Sequence, residues 1–250
     1  MPNERYYIDE TLSLDLSVNL KGNEFHHLAR VMRGQMGDAL ELINGKGVLA
    51  EGVITSLDKN SAVIRLEKIS EEKNLPTKII LAQALPKINR LDFILEKGTE
   101  LGVDEFWLFP GQQSIKKDFS ENQMERAKAI TIAAMKQCGR LTLPPVKLLP
   151  TLNQWTNFEN NCFFGDIDTH APLFLDAWKP LESKASLTIF IGPESGWSLN
   201  EINLFKKQDV TGVKLHDHIL RTDTASLVAL SLIRYQLLSE SSKSKAYLSK

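Results

Sequence analysis

With 250 residues, 42% of them hydrophobic and 24% charged, the chain has the composition of a globular protein that can bury one or two cores. Its formal net charge of −1 says little about nucleic acid, which needs a local basic patch rather than a basic total. Two isolated cysteines, Cys138 and Cys162, exclude a disulfide framework or a cysteine zinc site.

The opening MPNERYYIDE has no apolar stretch of a secretion signal, and no run of eighteen apolar residues follows, so a cytoplasmic protein with no membrane partner is expected. Residues 1–72 read as a small β-rich domain. Arg5 to Ile8 opens it as a strand, and Glu24 to Met32 reads as a short helix with Phe25, Leu28 and Val31 or Met32 on its apolar face. Strands follow over 38–43, 48–57 and 62–69, with a strong turn signal at Asn44-Gly45-Lys46-Gly47. Short strands joined by turns suggest a small barrel. Arg30 and Arg33, three apart on one helical face, are placed either to meet phosphates or simply to be solvated. His26 and His27 are adjacent, so on a helix they cannot easily face one ion, which argues against a metal site.

EEKNLP at 71–76 reads as a linker, after which strands and helices alternate, as in a parallel sheet covered on both faces. The strands fall at 78–85, 105–109, 161–166, 187–191 and 211–215, with helices over 89–101 and 121–139. Arg90 and Lys97 lie near one helix face, and Lys97 with Glu100 is equally an ordinary surface pair. Asp166 and Asp168 lack a third ligand, so no metal is expected there. Gly192 and Gly196 bracket a turn able to take positive φ and admit a ligand, and Ser198 with Glu201 has capping-box spacing. Thr222 is placed as the N-cap of a last helix. Both turns should lie at the sheet edge where open α/β sheets bind ligands. Leu227 to Leu238 is apolar almost all round and should be buried on both faces, by its own domain or by a partner.

The strings IGPESGW-S-x-x-E (191–201) and HILRTDTA (218–225) resemble signatures of the ribosomal RNA small subunit methyltransferase E family of the SPOUT superfamily. HHLARVMR (26–33) resembles a segment of that family's N-terminal PUA-like domain. NRLDFILEKGTELGV (89–103) matches its central helix through Lys87, Arg90, Lys97, Glu100, Leu101 and Gly102, and AMKQCGR (134–140) matches through Gln137 and Arg140. The resemblance runs from His26 to Ala225 and implies a PUA-like β-barrel over 1–72 and a knotted (trefoil) α/β methyltransferase domain over 73–250.

The implied activity is S-adenosylmethionine-dependent methylation of N3 of a uridine in 16S ribosomal RNA, by a homodimer joined near its last helix. The resemblance places Gly192, Pro193, Glu194, Gly196, Leu215, Ile219, Leu220 and Thr224 at the cofactor, and Arg221 and Glu194 at the chemistry. His27, Arg30, Arg33, Arg90, Lys97 and Arg140 are the RNA-facing candidates. Arg221 has the alternative of an ion pair with Asp223 or Glu194, and Glu194 that of anchoring a loop. The chain departs from the family at Ser195 and His216, where glycines are usual, at His218, and at Gln112-Gln113, where Lys116 and Lys117 offer a substitute charge. A catalytically impaired RNA-binding protein of the same fold is the alternative. A generic nucleotide-binding enzyme is disfavoured, because no strand is followed by a dinucleotide or P-loop glycine pattern.

Overall fold

The computed structural model describes residues 4–72, 77–156, 158, 161–178 and 186–248, and side chains as far as residue 241. The linker expected at 71–76 therefore lies mostly outside the described residues. The chain divides into two compact units: residues 1–74 with 132–143, and residues 75–131 with 144–250.

The first unit contains β1 (Arg5–Tyr7), β2 (Ser17–Lys21), α1 (Gly22–His26), β3 (Ala39–Ile43), β4 (Val48–Leu57) and β5 (Ser61–Glu71). One sheet in the order β1-β3-β4-β5-β2 joins them, parallel only between β1 and β3. Alternation makes the core: Val18 and Leu20 of β2 face inward, as do Ala62, Ile64 and Leu66 of β5. β2 has only these two apolar residues, too weak a period to be read as a strand beforehand. Helix α1 runs on into a wider turn over His27–Val31, where Met32 N donates to His27 O at 3.1 Å. Arg33 then has φ +55 and ends the helix, so it does not share a helical face with Arg30 as the spacing suggested.

Residues 132–143 join this unit through specific bonds. Arg5 donates to Gly139 O at 2.6 Å, Lys136 reaches both oxygens of Glu24 at 2.8 and 2.9 Å, and Gly45 O accepts from Leu143 N at 2.8 Å.

The second unit opens with β6 (Lys78–Ala84), α2 (Ile88–Glu100), β7 (Glu105–Phe109), α3 (Glu121–Cys138, shared with the first unit) and β8 (Val146–Leu148). It continues with β9 (Cys162–Gly165), α4 (Phe174–Ala177), β10 (Ser186–Ile191), α5 (Leu199–Lys207), β11 (Thr211–Val213) and α6 (Thr222–Leu248). All six strands are parallel, in the order β11-β9-β10-β6-β7-β8. Successive side chains point to opposite faces and so build two cores. Ile79 and Leu81 of β6 pack with Leu91, Ile94 and Leu95 of α2 and Leu230 and Ile233 of α6. Ala82, Ala84 and Phe190 pack on the other face with Phe205 of α5. The expected α/β sheet flanked by helices and a separate curled β-rich unit are thus what the chain forms. Among the described residues, no helix is long and apolar enough to cross a membrane.

Helix α6 is not buried all round within the chain. Ala229, Leu230 and Ile233 are buried, whereas Tyr235 is 70% and Leu238 57% exposed.

Candidate cofactor site at the carboxyl edge of the sheet

β10 ends at Ile191 and leads into the turn Gly192–Gly196. Ser198 and Glu201 complete the predicted capping box at the start of α5. Glu201 is buried, and its second oxygen accepts from Gln112 N at 2.9 Å, which ties the loop after β7 to α5. Gly196 has φ +75, a conformation that favours glycine. Gly192 does not take positive φ; a Cβ there would lie 3.3 Å from the Trp197 ring, so the turn is packed flat against that indole. Trp197 is held by its Nε1 bond to Gly165 O at 2.9 Å and by stacking on Phe109.

The second turn follows β11 and enters α6. Thr222 is not the side-chain N-cap that its position suggested. Its hydroxyl instead donates to Gly192 O at 2.6 Å, and this bond brings the two turns together. Leu215 is half-buried and Leu220 likewise, Thr224 is exposed, and Ile219 is 82% exposed. Neither Ser195 nor His216 has φ in the left-handed region, so their departures from glycine carry no backbone strain. His216 Nδ1 accepts from His218 N at 3.0 Å and braces its own loop.

Charges at this edge are paired differently from the sequence expectation. Arg90, expected to face RNA, lies 3.4 Å from Glu194 and 3.9 Å from Asp223. Glu194 also accepts from Lys87 N at 3.0 Å. Arg221 is exposed and has no ion-pair partner among the described residues, so the alternative of a pair with Asp223 or Glu194 belongs to Arg90 instead. Lys117 donates to Gly111 O, and to Gln112 O at 2.8 Å, bracing the loop after β7. In that loop Ser114 Oγ is buried without a partner, beside Gly111, whose own added Cβ would lie 3.6 Å from Pro193. An unmet buried hydroxyl costs about 1–3 kcal/mol.

The other RNA candidates are mostly engaged. Lys97 donates to Glu100 and Glu96, each at 2.8 Å, and these bonds raise its ammonium pKa above the ordinary range. His27 meets Glu4 at 2.6 Å, a carboxylate that the local sequence did not reveal, and Arg140 bonds Thr142 Oγ1 at 2.8 Å. Arg30 and Arg33 are exposed. Among the described residues no group of three or more His, Cys, Asp or Glu side chains is placed to hold a metal ion. Sequence reasoning missed Gln83, Ser226 and Trp197; the signal for Gln83 was a lone amide inside the apolar run of β6.

Residues 73–234 match a family described as an RNA methyltransferase domain, and residues 20–67 match an RNA methyltransferase PUA domain. The ribosomal RNA small subunit methyltransferase E of Bacillus subtilis is 30% identical, over 93% of this chain and 96% of that one. The chain belongs to the ribosomal RNA small subunit methyltransferase E family.

The family member from Synechocystis is 32% identical over 88% of this chain and 73% of its own. The Neisseria gonorrhoeae member, solved bound to S-adenosyl methionine, is 28% identical, covers 94% of this chain and 98% of its own, and superposes with a TM-score of 0.85. The family's two matched domains correspond to the curled N-terminal sheet and to the parallel sheet.

Proposed function

We propose that this protein transfers the methyl group of S-adenosylmethionine to N3 of a uridine in 16S ribosomal RNA of the small subunit, as a cytoplasmic homodimer. The observation that carries this reading is the Thr222–Gly192 bond of 2.6 Å, which joins the two turns at one sheet edge in a family with a cofactor-bound member.

The cofactor supplies an electrophilic methyl on a sulfonium. Gly192, Pro193, Gly196, Leu215, Ile219, Leu220 and Thr224 hold it: the turns offer backbone donors and acceptors, and the exposed Ile219 offers apolar surface for a purine to cover. The unmet hydroxyl of Ser114 is a further polar group beside Pro193. This donor set fits an adenosyl ligand and needs no metal. The loops after β9, β10 and β11 form the trefoil knot of the family in this account.

Uridine N3 must lose its proton before it attacks, which leaves negative charge on the ring. Arg221, exposed and without a carboxylate partner, stabilises that charge in this reading, because a guanidinium stays protonated. Glu194, with its carboxylate already committed to Lys87 N and Arg90, anchors the turn rather than acting as the base. Arg30 and Arg33 contact phosphates of the RNA, with His27 and Arg140 beside the same chain segments. The exposed Tyr235 and Leu238 of α6 form the dimer contact.

Calorimetric titration with S-adenosylmethionine tests the cofactor assignment, and saturable one-to-one binding per chain is expected. Arg221→Ala should bind the cofactor within about twofold of wild type while kcat falls by about 10²–10³, as for loss of one charge-stabilising donor. A wild type that neither binds the cofactor alone nor with small subunits present overturns the reading in favour of the RNA-binding alternative.

A further inference from the structure

Gln83 is fully buried in β6 between apolar neighbours, and its amide is engaged at both ends. Its Oε1 accepts from Ser226 Oγ at 2.7 Å. Its Nε2 donates to Ala84 O at 2.9 Å and to Thr222 Oγ1 at 3.0 Å, with Ile191 O and Gly192 O at 3.3 and 3.4 Å. Carbonyl oxygens only accept, so the nitrogen must face the turn and the oxygen must face Ser226. A directed chain results. Ser226 Oγ donates to Gln83, with Thr222 O at 2.9 Å as its second acceptor, Gln83 donates to Thr222, and Thr222 donates to the Gly192 carbonyl at 2.6 Å. Hydrogen bonds in such a series polarise and strengthen one another.

The fold alone does not call for this amide. A methionine has nearly the same volume and no polar group to satisfy in a strand that is otherwise apolar. What the amide adds is a fixed relation among three backbone segments: the end of β6, the turn after β10 and the first turn of α6. Those last two segments are the ones assigned to the cofactor above, and the inference rests on that assignment. We propose that Gln83 is a positioning residue for S-adenosylmethionine. It acts through Thr222 and Gly192, holding the Gly192 carbonyl and the start of α6 at the spacing the cofactor requires.

The test compares wild type, Gln83→Met and the triple variant Gln83→Met/Thr222→Val/Ser226→Ala in the full-length protein. Gln83→Met removes the donor to Thr222 Oγ1 and one acceptor of Ser226 Oγ, while Thr222 keeps its bond to Gly192 O and Ser226 keeps Thr222 O, so it should lower Tm and raise the S-adenosylmethionine Kd at least tenfold. Its KM for the cofactor should rise, while KM for small subunits stays within about twofold. The triple variant removes both hydroxyls, and with them the Thr222–Gly192 bond, and should regain most of the lost Tm, yet keep the tenfold weaker cofactor binding. That split separates positioning from packing, since a purely structural role would restore binding together with Tm. A triple variant that binds the cofactor as wild type does overturns the inference while leaving the enzyme reading intact. A wild type with no cofactor binding removes both.

Discussion

Arg90 shows how one residue changes meaning when the chain folds. On its helix it is a basic group with RNA-facing spacing, but in the structure its charge is spent on Glu194 and Asp223 at the carboxyl edge of the sheet. Arg30, Arg33 and Arg65 are exposed in the first unit, and Arg65 is paired with Glu67 at 2.7 Å. The two kinds of arginine should separate in a salt titration of RNA binding. Each arginine on a phosphate contributes close to one unit to the slope of log K against log salt. Arg30→Ala and Arg33→Ala are each expected to reduce that slope by roughly one and to weaken RNA binding without regard to sequence. Arg90→Ala should leave the slope unchanged and weaken S-adenosylmethionine binding instead. A slope that drops for Arg90→Ala would return that residue to the RNA surface.

At the scale of elements, the amino edge of the sheet is held by one carboxylate. Glu105 opens β7, is 9% exposed at its side chain, and bonds Lys78 of β6, Lys147 of β8 at 2.6 Å and Trp107 Nε1 at 2.8 Å. Burial alone would raise its pKa, but the bonds to Lys147, Lys78 and Trp107 outweigh burial and hold it at about 2, below the ordinary 4.5. Because the folded value is depressed, the stabilisation is complete above the unfolded value and is lost as pH falls from about 5 toward 2. The difference corresponds to at most about 3 kcal/mol. Chemical denaturation of Glu105→Gln should show it less stable than wild type at pH 7, with the gap closing by pH 2. A gap that is constant with pH would mean the carboxylate charge contributes nothing.

Elements of this kind differ in how far the sequence reveals them. The strands β6, β7 and β10 are apolar runs bounded by turn residues, and α2 carries its inner face at helical spacing, so both were legible. β2 and β8 were not, having too few residues to set a period. The site was legible as two turns because glycines and a cap mark them locally. Its wiring was not legible, because it joins residues far apart in the chain: Lys87 N and Glu194 are 107 positions apart, and Ser226 and Gln83 are 143 apart. Nothing local in MPNERYYIDE or HHLARVMR announces that Glu4 meets His27 either. His216 and Ser195 stand where the family has glycine, but the backbone there does not adopt the positive φ that would favour one.

For the whole molecule, the exposed stripe of α6 and the methyltransferase assignment each make a claim that can fail. Tyr235→Glu with Leu238→Glu places two charges on the proposed dimer face and should convert the protein to a monomer in analytical ultracentrifugation, whereas an unchanged mass would place the contact elsewhere. The most direct test of the central claim is to incubate the protein with small ribosomal subunits and S-adenosylmethionine, digest the 16S RNA and identify the methylated nucleoside by mass spectrometry. The account predicts one new 3-methyluridine per subunit, absent when the cofactor is left out and much reduced with Arg221→Ala. Methyl incorporation at another base or atom, or none at all from a protein that binds the cofactor, would contradict it.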